Sequence, residues 1–162
     1  MENLHHHRQS YERNILDENE VDPNPIVQFR TWFNDALAHE QISEANAMSI
    51  STLEDDGCPR IRTVLLKSYS ENGFVFFTNY DSRKGNSIEK YHLAGIQFFW
   101  PALERQIIIK AKVERVAENI SDGYFFERPR GSQLGALVSP QSSVIENREF
   151  LEDRLQILEK KF

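Results

Sequence analysis

Between Arg60 and Gly85 the hydrophobic pattern changes period, and this change constrains the fold more than any other stretch of the chain. Ile61 to Lys67 is rich in β-branched and aliphatic residues, Asn72-Gly73 is a strong hairpin-turn signal, and Phe74 to Thr78 supplies an aromatic second strand. The pattern then turns helical. Asp81 or Ser82 can cap a helix start, and Ile88, Tyr91 and the nearby Leu93 give the apolar face of a short helix ending near His92. A β-hairpin running straight into a helix is therefore expected.

The charges in this stretch are placed against the helix. Arg83 and Lys84 fall in its first turn, where the macrodipole and free N–H groups favour anions. Backbone donors, a hydroxyl and two cations at one helix start are what a phosphate dianion needs. Two adjacent cations alone read as a solvated basic turn; Arg62 on the neighbouring strand shifts the balance towards an anion site. Strand alternation puts Arg62, Val64 and Leu66 on one face and Ile61, Thr63, Leu65 and Lys67 on the other. Arg62 and Lys67 then serve two anions or two sides of one extended ligand, unless either is an edge-strand charge that discourages aggregation.

Upstream, residues 1–22 form a polar arm whose adjacent His5, His6 and His7 lack the fixed geometry of a metal site. The domain proper spans 23–162. Asn24-Pro25 starts a helix, and Ile26, Phe29, Phe33 and Leu37 recur at the spacing of one core-packed face. Ala47 to Leu53 is a strand, turned by Asp55-Asp56-Gly57 into the Arg60 hairpin. Ile96 to Trp100 is another, closed by Pro101. From Arg105 to Val116 the residues alternate, with Ile107, Ile109, Ala111 and Val113 opposite Gln106, Ile108, Lys110 and Lys112. Five mostly antiparallel strands leave an edge exposed, so a closed or split barrel needs one more strand or a partner chain.

Further on, Ser121 can cap a short helix containing Tyr124, Phe125 and Phe126, ended by Pro129, and Ser132 can cap the next turn through Leu137. Arg128, Arg130 and Ser132 gather at that second helix start. On their own they read equally as a second anion site and as surface arginines at a loop. Asn147 can cap a last helix whose apolar face is Leu151, Leu155, Leu158 and Phe162.

Composition closes off several functions. A net charge of -6 without a basic stripe argues against nucleic-acid binding. The single Cys58 excludes an intrachain disulfide, reads as an unreactive thiol, and makes a reducing cytoplasm the expected compartment. No apolar stretch approaches the roughly 20 residues that span a bilayer. Nucleotide-binding glycine fingerprints and metal-spaced Cys/His clusters are absent from the sequence. Asp55 with Asp56, and Glu104 with Arg105, read as turn and pairing residues rather than an acid/base couple.

Six short motifs form a set: Arg62-Thr-Val-Leu-Leu-Lys67, Phe76-Phe-Thr78-Asn, Ser82-Arg-Lys84, Glu104-Arg-Gln106, Arg128-Pro-Arg130-Gly-Ser132-Gln and Ser139-Pro-Gln141-Ser142. Their order and spacing, from about Pro25 onward, resemble the pyridoxamine 5′-phosphate oxidases, flavin enzymes that make pyridoxal phosphate. The resemblance implies an FMN-binding split β-barrel of Greek-key type, mainly β with flanking helices, that dimerises with flavin at the subunit interface. It places Arg62, Thr63, Val64, Leu65, Leu66, Lys67, Phe77, Thr78, Arg83, Lys84, Gln106, Gln141 and Ser142 on FMN, the last two reaching across the dimer. Lys67, Tyr124, Arg128 and Ser132 surround the substrate phosphate, and the arm residues Arg8 and Tyr11 match positions that fold over the substrate.

The implied reaction oxidises pyridoxamine or pyridoxine 5′-phosphate. Flavin N5 takes a hydride from C4′, dioxygen becomes hydrogen peroxide, and neither a metal nor a covalent nucleophile is required. Family members continue into strands that carry a flavin-contacting Trp and an Arg-x-His segment. The chain ends on Phe162 without a stop signal, so an incomplete carboxyl end is expected and no catalytic residue is assigned. Two alternatives remain open: a related flavin oxidase with another substrate, as in phenazine biosynthesis, and a split-barrel protein that binds FMN or pyridoxal phosphate without turnover.

Overall fold

Phe29 joins the parts of the core. In the computed structural model, which describes residues 2–13 and 15–162, it projects from helix α1 (Pro25–Ala38) and is 3% exposed. Its ring meets Tyr69, Phe74 and Phe98 edge-on at centroid distances of 4.9, 4.8 and 5.1 Å. Edge-to-face packing sets the positive rim of one ring on the negative face of the next. Helix α1 starts as its sequence dictates: Asn24 Oδ1 accepts from the Ile26 and Val27 amides, and Pro25 occupies the first turn. Leu37, expected on the core face, is exposed, and Ala36 is buried in its place. The contact line therefore drifts by one residue along the helix.

The main sheet contains β1 (Ala47–Leu53), β2 (Pro59–Leu65), β5 (Leu93–Trp100) and β6 (Arg105–Lys112), all antiparallel in the order β2-β1-β5-β6. β1 and β2 pair from Ala47↔Leu65 to Leu53↔Pro59 around a turn in which Gly57 has φ +80°. Met48, Ile50, Ile96, Phe98 and Trp100 are buried on one face, and the Trp100 indole N–H donates to Ala45 O at 3.0 Å. Alternation along β6 follows expectation, with Gln106, Ile108, Lys110 and Lys112 exposed.

The central hairpin differs from the sequence reading. β2 stops at Leu65 because its partner β1 begins at Ala47. The chain then leaves the main sheet: the Leu66 amide goes to Asn46 O, and the Lys67 amide goes to Val75 O at 2.8 Å. A separate two-stranded sheet follows, β3 (Ser68–Ser70) with β4 (Gly73–Val75), in register Ser70↔Gly73. The loop is thus Glu71-Asn72, and Gly73, with φ +129°, opens β4 rather than sitting within the turn. Phe76 to Thr78, expected as strand, is irregular because β3 is too short to pair with it.

Helix α2 (Arg83–Tyr91) is capped by Ser82 and ends on His92 at φ +54°. Leu93, expected on that helix, instead opens β5 and is exposed. Helices α3 (Glu118–Glu127), α4 (Arg130–Val138) and α5 (Glu149–Lys161) follow. Ser121 lies inside α3 and Ser132 inside the first turn of α4, so neither is the cap; Ala117 and Pro129 hold those positions. Asn147 accepts from the Phe150 amide at 2.9 Å, as an N-cap side chain does. The result is a β core with flanking helices. Among the described residues the main sheet does not close into a barrel, leaving β2 and β6 as its edges, and no helix is long and apolar enough to cross a membrane.

Gly85 fixes how closely α2 approaches the preceding loop, because a Cβ there would overlap the Tyr80 carbonyl and lie 2.9 Å from Asn79 O. Gly85→Ala is expected to lower stability by about 1–3 kcal/mol, the usual range for overpacking, measured by urea unfolding. An unchanged midpoint would show that the loop yields freely.

Candidate functional site

The start of α2 is buried, polar and positively charged. Ser82 is fully buried; its hydroxyl donates to Asn79 O at 2.6 Å and accepts from the Gly85 amide at 3.3 Å. Lys84 folds back over this cap, with Nζ donating to Ser82 Oγ at 3.1 Å and to Gln141 Oε1 at 2.9 Å. Only 9% of Lys84 is exposed, and no carboxylate pairs with it among the described residues. Burial pushes its pKa below the ordinary lysine value, and the nearby Arg62 charge adds to the effect.

Arg62 comes from β2, where it pairs in register with the buried Ile50 and so points to the core face. Its Nη1 donates to the buried Thr52 hydroxyl at 2.7 Å, while Nη2 lies 3.9 Å from Glu54, which is also 3.6 Å from Arg60. Desolvation lowers the Arg62 pKa most, Glu54 opposes the shift and Arg60 adds to it. Arg60 and Arg62 share this one loose carboxylate while Arg62 also repels Lys84, so positive charge exceeds negative charge here.

A second cluster gathers around Tyr124 on α3. Its ring lies face to face with Phe77, centroids 3.8 Å apart and planes 4° apart. Lys67 Nζ sits 5.8 Å from the Tyr124 centroid, and the Arg128 guanidinium carbon 6.0 Å. The Lys67 ammonium, the Tyr124 hydroxyl, the Arg128 guanidinium and the Ser132 hydroxyl have no hydrogen-bond or ion-pair partner among the described residues. Four free donors at one place are chemically suited to a phosphate monoester.

The two clusters meet at Gln141. A cavity of about 670 Å³ is lined by Thr78, Tyr124, Arg128, Ser132 and Gln141, and Gln141 also reaches Lys84. The Thr78 hydroxyl is buried without a partner and belongs to the same lining. Gln141, expected to reach across a dimer, here meets Lys84 of its own chain, and the adjacent Ser142 has φ +70°.

Other expected residues lie elsewhere. Val64 is partly buried against the core and Leu66 is buried within it, whereas Thr63 is exposed and Leu65 half-buried. Arg83 is exposed at the first position of α2. Gln106 is exposed on the outer face of β6, where it accepts from Gln97 at 3.0 Å. Arg8 is exposed; Tyr11 shares a second cavity of about 710 Å³ with Gln106 and Trp32, away from Tyr124. Glu104 and Arg105 do not pair with each other: Arg105 binds Asp35 at 2.6 Å, and Glu104 accepts from the Arg13 amide.

Sequence reasoning missed the partners that orient these groups. Thr52 and Glu54 hold Arg62, which the β1–β2 register makes legible once the turn is placed. Gln133 donates to Phe126 O and Arg128 O at 3.1 and 2.9 Å, fixing the α3–α4 corner that carries Arg128 and Ser132. Its position inside the Arg128–Gln133 motif was the available signal.

With this geometry in view, comparisons with known proteins are specific. The family model described as pyridoxamine 5′-phosphate oxidase matches residues 35–160. A pyridoxine/pyridoxamine 5′-phosphate oxidase from Gloeothece citriformis is 53% identical over 155 residues, covering 96% of this chain and 72% of that protein. Another from Flavobacterium psychrophilum is 49% identical over 159 residues, covering 98% and 74%. PhzG from Burkholderia lata 383, solved with tetrahydrophenazine-1-carboxylic acid, superimposes with a TM-score of 0.82 at 24% identity, covering 90% of this chain and 72% of that one. A pyridoxamine 5′-phosphate oxidase-related, FMN binding protein from Nostoc punctiforme gives 0.60 at 18% identity, covering 76% and 70%. At those identities the two structures speak for the fold alone. The family match and the close relatives together show that the chain belongs to the pyridoxamine 5′-phosphate oxidase family.

Proposed function

We propose that this protein oxidises pyridoxamine 5′-phosphate or pyridoxine 5′-phosphate to pyridoxal 5′-phosphate, with FMN as cofactor and dioxygen reduced to hydrogen peroxide. The carrying observation is the buried Lys84 ammonium beside Arg62 at a helix start, with no carboxylate among the described residues to neutralise it. That donor set fits a phosphate monoester such as the FMN tail, and the unpartnered Thr78 hydroxyl fits a polar group entering the cavity. When bound, the isoalloxazine supplies the hydride acceptor and its reoxidation by dioxygen.

The chain's own residues bind and orient. Arg62, Arg83 and Lys84 hold the flavin phosphate, while Lys67, Tyr124, Arg128 and Ser132 hold the phosphate of the substrate. A substrate fixed by its phosphate presents C4′ in one place, which converts binding into orientation. The four free donors of the Tyr124 cluster favour a phosphorylated substrate over a phenazine-type one.

Assembly as a homodimer completes the proposal. Ile61, Phe99 and Ile108 share the outer face of the main sheet and are 67%, 56% and 67% exposed. An isologous contact there covers them and brings Gln106 into the interface, so that a split-barrel dimer holds FMN between Arg62 of one subunit and Gln106 of the other. The exposed, unpaired Cys58 suits a reducing cytoplasm.

The direct test is an absorbance scan of the FMN-supplemented protein with pyridoxamine 5′-phosphate under air. A slowly growing aldehyde band is expected; a flavin-loaded protein that neither forms it nor binds pyridoxal 5′-phosphate overturns the assignment.

Two substitutions separate the anion sites. Removing Lys84 takes away a buried charge, so Lys84→Met is expected to raise the stability of the flavin-free protein at neutral pH while weakening FMN binding about tenfold or more. The sign follows from linkage. The folded pKa is depressed, so the stability penalty is fully present below it and disappears as pH rises from the folded towards the unfolded value. Urea unfolding at neutral and alkaline pH should show that rise in the parent and not in Lys84→Met. A variant that retains flavin as tightly as the parent rejects the site.

Arg128→Ala should instead raise KM for pyridoxamine 5′-phosphate about tenfold or more with FMN content unchanged. A loss confined to KM means uniform binding was removed, whereas a fall in kcat means the phosphate grip also positions C4′. Loss of flavin from this variant would contradict separate sites.

A further inference from the structure

We propose that Phe77 is a positioning residue for the substrate phosphate, holding the Tyr124 ring in the orientation that lets Lys67 and Arg128 converge on one anion. This rests on the reading above that Lys67, Tyr124, Arg128 and Ser132 take a phosphate. It gives the Phe77 ring a task beside the flavin contact that the family resemblance implies for this residue.

The stack is unusually close. Aromatic pairs usually sit about 4.5–7 Å apart, offset or edge-on, because two negative ring faces repel. Phe77 and Tyr124 lie parallel at 3.8 Å. The two cations near Tyr124 offset that repulsion by drawing on its π-density, Lys67 at 5.8 Å and Arg128 at 6.0 Å. Nothing else fixes the ring by hydrogen bonding, since the Tyr124 hydroxyl has no partner among the described residues. Phe77 covers one face of Tyr124, so ligand and cations are left its other face and its rim.

Position in the chain explains why such a prop is useful. Tyr124 is on α3, Arg128 follows that helix, and Lys67 stands at the crossing from the main sheet to β3. The groups that must meet on one phosphate thus come from two separate parts of the fold. Phe77 comes from a third, the irregular stretch between β4 and α2, and precedes Thr78, with which it lines the cavity. Core packing does not hold it: Phe76 packs against the main core, and Phe77 is not part of that cluster.

The test uses the full chain loaded with FMN and two probes that lack an oxidisable group at C4′, 4-deoxypyridoxine 5′-phosphate and 4-deoxypyridoxine. Binding is followed by calorimetry or flavin fluorescence. In Phe77→Leu the phosphorylated probe should bind about three- to tenfold more weakly, from the usual worth of an aromatic pair. With every variant compared at full FMN loading, the unphosphorylated probe should bind as it does to the parent, and Phe77→Tyr should restore parental affinity. In a Tyr124→Leu background, Phe77→Leu should add no further loss.

Equal weakening of both probes, parental affinity in Phe77→Leu, or additive losses in the double variant would each overturn the role. A parent that does not prefer the phosphorylated probe overturns the phosphate reading of the whole cluster, and this inference with it. If Phe77→Leu does not fold, Phe77→Met is measured by the same criteria.

Discussion

An unneutralised ammonium in a buried place organises this molecule. Lys84 lies at the start of α2, where unsatisfied amides point outward and a cation is already disfavoured, and Arg62 stands close enough to lower its pKa further. Such an arrangement persists only if neighbouring structure imposes it. Ser82 does so by serving two ends at once: its hydroxyl ties the preceding loop through Asn79 O and accepts from both Gly85 and Lys84. The absence of a Cβ at Gly85 lets the helix sit against that loop. The charge is thus held in place by the Ser82 cap and the close approach of helix and loop.

Glu54 shows how the cost without ligand is limited. At 3.9 Å from Arg62 the gross attraction is about 4 kcal/mol at an effective dielectric of about 20, set against the desolvation of both groups. Glu54 is shared with Arg60, and one of its buried oxygens lacks a hydrogen bond, so the pair is loose. Arg62 is therefore oriented without being neutralised. Thr52, directly bonded to its guanidinium, does most of the orienting. Lys84 receives only neutral acceptors, a hydroxyl and an amide oxygen, which leave its charge available.

Much of this was legible in the sequence, because the local signals are strong. The Asn24-Pro25 start, the Ser82 cap, the β1 boundaries and the β6 alternation follow from capping and periodicity. The two cation clusters were legible as positive charges near helix starts. What was not legible depends on pairing partners distant in sequence. β2 ends where β1 begins, so the strand through Lys67 breaks at Leu66; only the register reveals this. Ser121 and Ser132 resembled caps by residue type, yet Ala117 and Pro129 occupy those positions, since the path into each helix is set by packing. Leu93 fitted a helical face and became a strand because His92 adopts the left-handed conformation and ends α2.

The separation of the two cation clusters follows from the same break at Leu66. Had β2 continued, Lys67 would have remained on the main sheet, on the face opposite Arg62. Instead the chain crosses at Leu66, which is buried and bonded to Asn46 at both its amide and its carbonyl, and Lys67 is delivered to Tyr124 on the far helix. Asn46 thus works as a hinge pin, satisfying a peptide that belongs to neither sheet. Two anions of like charge bound close together would repel, and the crossing keeps their binding groups in separate clusters while Gln141, touching Lys84 and the cavity, joins their surroundings. One buried residue, Leu66, held at its amide and at its carbonyl by one asparagine, therefore divides the cations of this chain into two clusters rather than one diffuse basic surface.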